Sequence, residues 1–113
     1  MKTIGMLGGM SWESTASYYR AINETVKRQL GGLHSAKIVM NSVDFEEIEK
    51  LQRENNWSAA AAILVKAAES LEAGGADFLI ICTNTMHIVS QEIEAATNIP
   101  LLHIADATAA LSW

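Results

Sequence analysis

Short apolar runs, which predict strands, are followed along the chain by longer segments with apolar residues at helical spacing, which predict helices. Thr3–Leu7 is a short apolar run that ends at a glycine pair, and Lys37–Val43 is a second run of strand length. Phe78–Cys82 is continuously apolar, which is typical of a central parallel strand covered on both faces. Leu101–Ile104 is a fourth strand candidate. The pattern therefore predicts a parallel sheet of about four strands.

Apolar residues recur at helical spacing between these strands. The first predicted helix begins near Trp12 with Ser11 as its amino-terminal cap, and it ends at the Gly31-Gly32 pair. We expect its aromatic stripe to pack in the core. The other predicted helices are Asp44–Leu51, an alanine-rich helix from about Ser58 to Gly74, one that opens at Thr83–Thr85 and stops before Pro100, and a short last helix from Ala105. Helices between successive strands predict right-handed βαβ units and a flavodoxin-like, doubly wound α/β fold.

Composition indicates one globular domain and excludes several classes of partner. The 113 residues are 50% hydrophobic and 19% charged, as in ordinary folded domains. The net charge is -5 and the basic residues are scattered, so nucleic acid is not an expected partner. No apolar run approaches the roughly 18 residues of a membrane span, and the amino terminus does not resemble a signal peptide. We expect a cytoplasmic protein that binds neither nucleic acid nor membranes.

The turn after the first predicted strand is one candidate site, because ligands of open parallel sheets bind at the carboxyl ends of the strands. It reads Gly8-Gly9-Met10-Ser11. The glycines allow backbone N–H groups to approach an anion, and a helix start favours negative charge. A tight turn without a ligand is an equally good interpretation. The glycine spacing fits neither a dinucleotide-binding fingerprint nor a P-loop.

Cys82 is the second candidate and the single cysteine of the chain. It ends a strand just before a predicted helix, so we expect the helix dipole and free amides to lower its pKa below the usual value of about 8.5. Thr83, Asn84 and Thr85 place three hydrogen-bonding side chains directly after it. The alternative is a buried structural cysteine, which is the usual role of a cysteine on an apolar strand.

Two further polar features carry weaker signals. His87 falls one turn into the predicted helix, where it could face Cys82 or simply cap a polar patch. Arg53 lies in a polar break predicted at 52–56, where it is either a surface arginine or a mobile clamp for substrate. With one cysteine and no paired histidines, we expect no metal site.

Four segments together resemble the aspartate/glutamate racemase family. They are GMLGGMSWESTASYYRAIN, NSVDFEEIE, CTNTMH and LLHIAD, and they are spread over nearly the whole chain. The resemblance implies two similar flavodoxin-like lobes that face each other across a cleft. Each lobe would supply one cysteine to opposite faces of the amino-acid α-carbon, without pyridoxal phosphate, a metal or any other cofactor.

Residue roles follow from this resemblance. It implies that Cys82 is the catalytic thiol of the amino-terminal lobe. The implied substrate-binding residues are Thr83, Asn84 and Thr85 around the α-carboxylate, Met10 and Ser11 along the cleft, and Gln52 or Arg53 at the substrate side chain.

One thiol does not suffice for two-base racemisation. The chain contains no second cysteine and stops in ATAALSW, so we expect residues 1–113 to form a single amino-terminal lobe with the carboxy-terminal lobe absent. Such a lobe should be inactive or crippled by itself. An uncovered cleft face should also lead it to form a homodimer or to pair with a second lobe.

Other functions fit the same residues. A hydantoin racemase or an arylmalonate decarboxylase relative would share the fold, and substrate assays would distinguish them. A non-catalytic module that binds small carboxylates or assembles with another polypeptide is the alternative from a different class.

Overall fold

Strands and helices alternate through the residues that the computed structural model describes, which are 1–83, 89–104 and 106. In chain order the elements are β1 (Ile4–Gly8), α1 (Trp12–Leu30), β2 (Ile38–Ser42), α2 (Phe45–Arg53), α3 (Trp57–Ala73), β3 (Phe78–Ile81) and α4 (Ser90–Ala96). The strands are parallel and lie in the order β2-β1-β3. This is the predicted α/β architecture, a flavodoxin-like lobe.

The central strand β1 separates two apolar layers. Alternate residues of a strand face opposite sides of a sheet, so the strands contribute to both layers. One layer, here called the α1-side cluster, joins strand residues to α1 and consists of Ile4, Met6, Ile22, Val26, Phe78, Ile80 and Cys82. The other, the α3-side cluster, includes Leu7, Met10, Ile48, Leu64, Leu71, Leu79, Val89 and Ile93. Helices on both sides of the sheet therefore bury β1 completely.

Helix α1 has the bounds that the sequence predicts. Ser11 is its amino-terminal cap, with its Oγ accepting the Ser14 N–H at 3.4 Å. At the other end the Gly31 N–H donates to the Lys27 carbonyl oxygen at 2.7 Å. Backbone hydrogen-bonding groups at both ends of α1 are therefore satisfied by the residues that predicted those ends, Ser11 and Gly31.

Trp12 and Tyr19, the aromatic residues of the predicted apolar stripe of α1, lie outside the core, so the prediction that this stripe packs inside is wrong. Trp12 is 71% exposed and Tyr19 is 48% exposed. The residues of α1 that are buried are Thr15, Ile22 and Val26. Trp12 and Tyr19 instead border a surface groove beside the edge strand β2, whose Met40 is 41% exposed.

The fourth predicted strand is reduced to a single parallel bridge between Leu79 and Leu101. The Leu79 N–H donates to the Pro100 carbonyl oxygen, and the Leu102 N–H donates to the Leu79 carbonyl oxygen, both at 2.8 Å. Proline has no N–H to extend the ladder, and the chain is already helical at Ile104. The described part of the chain thus has three strands rather than about four.

The turn after β1 requires glycine at position 9. Gly9 has φ +93°, and a Cβ added there would overlap the backbone of Val43. Val43 cannot move away easily, because its N–H donates to the Gly8 carbonyl oxygen at 2.9 Å. The close approach of β1 and the start of α2 therefore depends on a residue without a side chain.

Gly9→Ala should destabilise the lobe more than Gly75→Ala. Gly75 has φ +99° and open space around its Cβ position, so alanine there should cost only the left-handed strain of about 1–2 kcal/mol. Alanine at position 9 adds overlap with Val43, which should cost about 2 kcal/mol more. Urea unfolding of the two variants measures the difference, and equal losses of unfolding free energy would contradict this account.

Candidate functional site

The two turns singled out in the sequence lie side by side at one edge of the sheet. Leu7 of β1 pairs with Ile81 of β3, and the Cys82 N–H donates to the Leu7 carbonyl oxygen at 3.0 Å. Cys82 therefore continues the ladder past the end of β3 and lies beside Gly8. Both turns lie at the carboxyl ends of parallel strands, and the strands they follow are neighbours in the sheet.

Thr15 holds the turn after β1, and sequence reasoning missed it. Its Oγ1 accepts the Gly9 N–H at 3.0 Å and donates to the Ser11 carbonyl oxygen at 3.1 Å, in a buried position. A Cβ on Gly8 would come within 2.6 Å of the Thr15 side chain. The Gly9 amide is thus used inside the protein, which removes one of the N–H groups that the sequence offered to an anion. A hydroxyl on the sheet-facing side of α1, one turn after the cap, was the available signal.

A surface pocket of about 290 Å³ opens over the start of α1. It is lined by Gly9, Met10, Ser11, Trp12, Glu13 and Phe45. The Glu13 carboxylate lies in the first turn of α1 and would repel an anionic ligand in this pocket. Met10 is only 3% exposed and packs mainly in the α3-side cluster, whereas Ser11 is half-buried. Their predicted contact with substrate stays a prediction.

Cys82 is buried, and its ionisation differs from the prediction. The side chain is 1% exposed in the α1-side cluster. Burial raises the pKa of the thiol to about 12, from a reference value of 9.0 for a cysteine. The predicted lowering of this pKa is wrong for the lobe, because loss of hydration in an apolar cluster disfavours the thiolate.

Most of the predicted carboxylate-binding segment lies outside the described residues. Thr83 is half-buried directly after Cys82. Asn84, Thr85 and His87 lie outside the described residues, as does the predicted helix start that was to lower the Cys82 pKa.

Tyr18 is a second neighbour of Cys82 that sequence reasoning missed. It is partly buried and packs against the α1-side cluster, of which Cys82 is a member. Burial raises the pKa of Tyr18, and the negative charge of ionised Cys82 raises that pKa further. A phenol and a thiol are therefore within electrostatic reach of each other on the α1 side of the sheet.

Gln52 and Arg53 are helical rather than part of a polar break. Helix α2 begins after Asp44, whose carboxylate accepts the Glu46 N–H at 3.1 Å, and continues to Arg53. Arg53 Nε lies 2.7 Å from Glu49 Oε2 in an exposed pair one helical turn apart. Exposed pairs of this kind contribute only about 0.3–0.5 kcal/mol, so a substrate carboxylate could compete for Arg53. Gln52 is half-buried in the same last turn.

No group of three or more His, Cys, Asp or Glu side chains in the described part of the chain could hold a metal ion. None of its helices is long and apolar enough to cross a membrane.

The raised pKa predicts slow alkylation of Cys82. The change from 9.0 to about 12 corresponds to roughly a thousandfold less thiolate at pH 8. Iodoacetamide should therefore react at least about a hundredfold more slowly with the folded chain than with the chain in urea. An equal or faster reaction of the folded chain would contradict the buried-thiol geometry.

The same shift fixes the pH dependence of stability. The folded chain binds the Cys82 proton more tightly than the unfolded chain does, so this contribution to stability is fully present below about pH 9. It should be lost as the pH rises toward 12. Cys82→Ser should remove this alkaline loss, which urea unfolding at several pH values would show.

The chain is similar to known amino-acid racemases. Residues 7–112 match the family described as Asp/Glu/Hydantoin racemase. The chain is 26% identical over 113 residues to the broad specificity amino-acid racemase RacX of Bacillus subtilis, covering 93% of this chain and 47% of that protein.

Solved structures share the fold. A crystal structure from Yersinia pestis, described as a candidate Asp/Glu racemase, has a TM-score of 0.89 and 62% identity, covering 97% of this chain and 48% of that one. An aspartate racemase homologue from Pyrococcus horikoshii has a TM-score of 0.78 and 31% identity, covering 95% and 46%. The chain thus spans about half the length of these relatives. Because the family match extends over nearly all its residues, the chain belongs to the Asp/Glu/Hydantoin racemase family.

Proposed function

We propose that the chain is the amino-terminal lobe of a two-lobed, cofactor-independent amino-acid racemase in which Cys82 serves one face of the α-carbon. The observation that carries this proposal is the position of Cys82. It lies at the carboxyl end of β3, beside the glycine turn of β1, where sheets of this kind bind ligands. Membership of the racemase family supports the same chemistry.

The buried thiol suits proton transfer to carbon. With its pKa raised to about 12, Cys82 carries its proton in the resting lobe and can deliver it to a carbanion. In the reverse direction the Cys82 thiolate accepts the α-proton, and a thiolate with a high pKa is the stronger base. The cost is that little thiolate exists at neutral pH. The substrate ammonium group would offset this by favouring the negative charge.

A second lobe would supply the other half of the reaction. Its thiol would lie on the opposite face of the α-carbon, so that one thiolate removes the proton while the other thiol returns one. Closure by that lobe or by a second copy of this chain would also exclude water and strengthen the interactions that stabilise the carbanion.

The proposed substrate contacts are those that the family resemblance implies. Thr83, Asn84 and Thr85 would bind the α-carboxylate, with Met10 and Ser11 along the cleft. Gln52 or Arg53, at the end of α2, would bind the substrate side chain, and Arg53 suits the second carboxylate of aspartate or glutamate.

A hydantoin substrate is the second candidate, because the family description includes hydantoin racemases. A hydantoin has no free carboxylate for Arg53 to bind. Arg53→Gln should therefore weaken turnover of aspartate or glutamate but leave turnover of a hydantoin unaffected.

The chain by itself should catalyse slow exchange of the α-proton without racemisation. A single thiol can remove the proton from one enantiomer and return a solvent deuteron to the same face. Incubation of each enantiomer of aspartate and glutamate in deuterium oxide, followed by proton NMR and chiral chromatography, measures both outcomes. We expect deuterium in one enantiomer with retained configuration, at a rate many orders of magnitude below that of an ordinary enzyme.

Cys82→Ser is the control for this experiment, and it should abolish the exchange. Incorporation that persists in Cys82→Ser would remove Cys82 from the mechanism. Fast racemisation that depends on Cys82 would instead show that a second copy supplies the opposite thiol.

A further inference from the structure

We propose that Tyr18 is a positioning residue for Cys82, its phenol donating a hydrogen bond to the Cys82 sulfur whenever the thiol gives up its proton. The inference rests on the proposed function, since it concerns the thiol assigned there to proton transfer. It adds a residue on α1 to which the sequence analysis assigned no role.

The placement of α1 brings Tyr18 toward the site. Thr15, one turn earlier on the same helix, lies against Gly8 at the carboxyl end of β1. Ile22, one turn later, is buried in the α1-side cluster. Tyr18 is on the same sheet-facing side, since residues three and four apart on a helix are neighbours.

The usual direction of a helical side chain favours a contact between Tyr18 and Cys82. Long side chains on a helix point back toward its amino terminus. The amino terminus of α1 lies at the carboxyl edge of the sheet, where Cys82 follows β3. Tyr18 packs against the cluster that contains Cys82.

The surroundings explain why such a donor matters. The other members of the α1-side cluster are aliphatic or aromatic hydrocarbons and the thioether of Met6, none of which stabilises a thiolate. Within this cluster and the residues packed on it, Tyr18 and Cys82 are the two with an ionisable group. The electrostatic coupling between them agrees with this proximity.

The proton balance is simple. The α-proton of the substrate goes to the Cys82 sulfur in one direction and leaves it in the other, while the phenol keeps its own proton throughout. Tyr18 contributes only a charge-assisted hydrogen bond to the thiolate, which is stronger than a neutral one.

Alkylation of Cys82 tests this without any substrate, so the result is independent of the racemase proposal. Tyr18→Phe removes only the hydroxyl, and Tyr19→Phe is the matched control because Tyr19 is the adjacent, exposed tyrosine. At a fixed pH of about 8, iodoacetamide should react at least about threefold more slowly with Tyr18→Phe than with the parent, equivalent to half a pKa unit. Tyr19→Phe should match the parent.

A merely structural role for Tyr18 predicts the opposite sign. Loosened packing around a buried thiol increases access and speeds alkylation. An unchanged or faster reaction of Tyr18→Phe would therefore overturn the proposal about Tyr18. The exchange experiment with Cys82→Ser tests the proposed racemase function alone.

A second measurement keeps the hydroxyl and the fold. The chain has two tyrosines, so fluorotyrosine incorporated into the Tyr19→Phe variant labels position 18 alone. Fluorination makes the phenol a stronger donor, so at neutral pH Cys82 should be alkylated faster than in the unlabelled variant. An equal or slower rate would contradict the hydrogen bond.

Discussion

The contact between the first turn of α1 and the end of β1 is the constraint on which the site depends. Gly8 leaves room for Thr15, and Thr15 in turn binds the Gly9 amide and the Ser11 carbonyl. This arrangement sets where α1 starts. A helix that started elsewhere would not carry Tyr18 toward Cys82 or cover the α1 side of β1 and β3.

Burial of Cys82 is the second determinant of what the lobe can do. An apolar cluster that stabilises the sheet also keeps the thiol protonated, with its pKa near 12. The same environment makes the thiolate a strong base once it forms, which suits removal of a weakly acidic α-proton. In the proposed mechanism the substrate ammonium group and the Tyr18 hydroxyl compensate for part of this desolvation. Folding thus favours a buried, protonated Cys82, whereas the proposed mechanism also requires its thiolate.

Local sequence chemistry predicted the elements that depend on local interactions. Ser11 and Gly31 mark the ends of α1 because caps act within one turn, and Phe78–Cys82 predicts β3 because a central strand is apolar on both faces. The meeting of the two turns followed from the parallel sheet.

Features that depend on tertiary neighbours were not predictable in the same way. Apolar spacing did not show that Trp12 would border an uncovered edge strand, and nothing local placed Tyr18 beside the site. The Cys82 pKa was predicted in the wrong direction. The sequence shows a local helix start, which would lower the pKa of a thiol, but it does not show how deeply the thiol is buried, and burial raises the pKa. Arg53 was taken for a loop residue because residues 52–56 are all polar, whereas α2 continues to Arg53, which pairs with Glu49 one turn earlier.

A two-lobed hybrid tests the central claim most directly. Residues 1–113 would replace the corresponding half of the Yersinia pestis relative, which is 62% identical over this region and about twice as long. Loss of optical activity of aspartate and glutamate measures racemisation. The account predicts that the hybrid racemises at least one of them and that Cys82→Ser in the hybrid stops racemisation. A Cys82→Ser hybrid that racemises as fast as its parent would contradict the account.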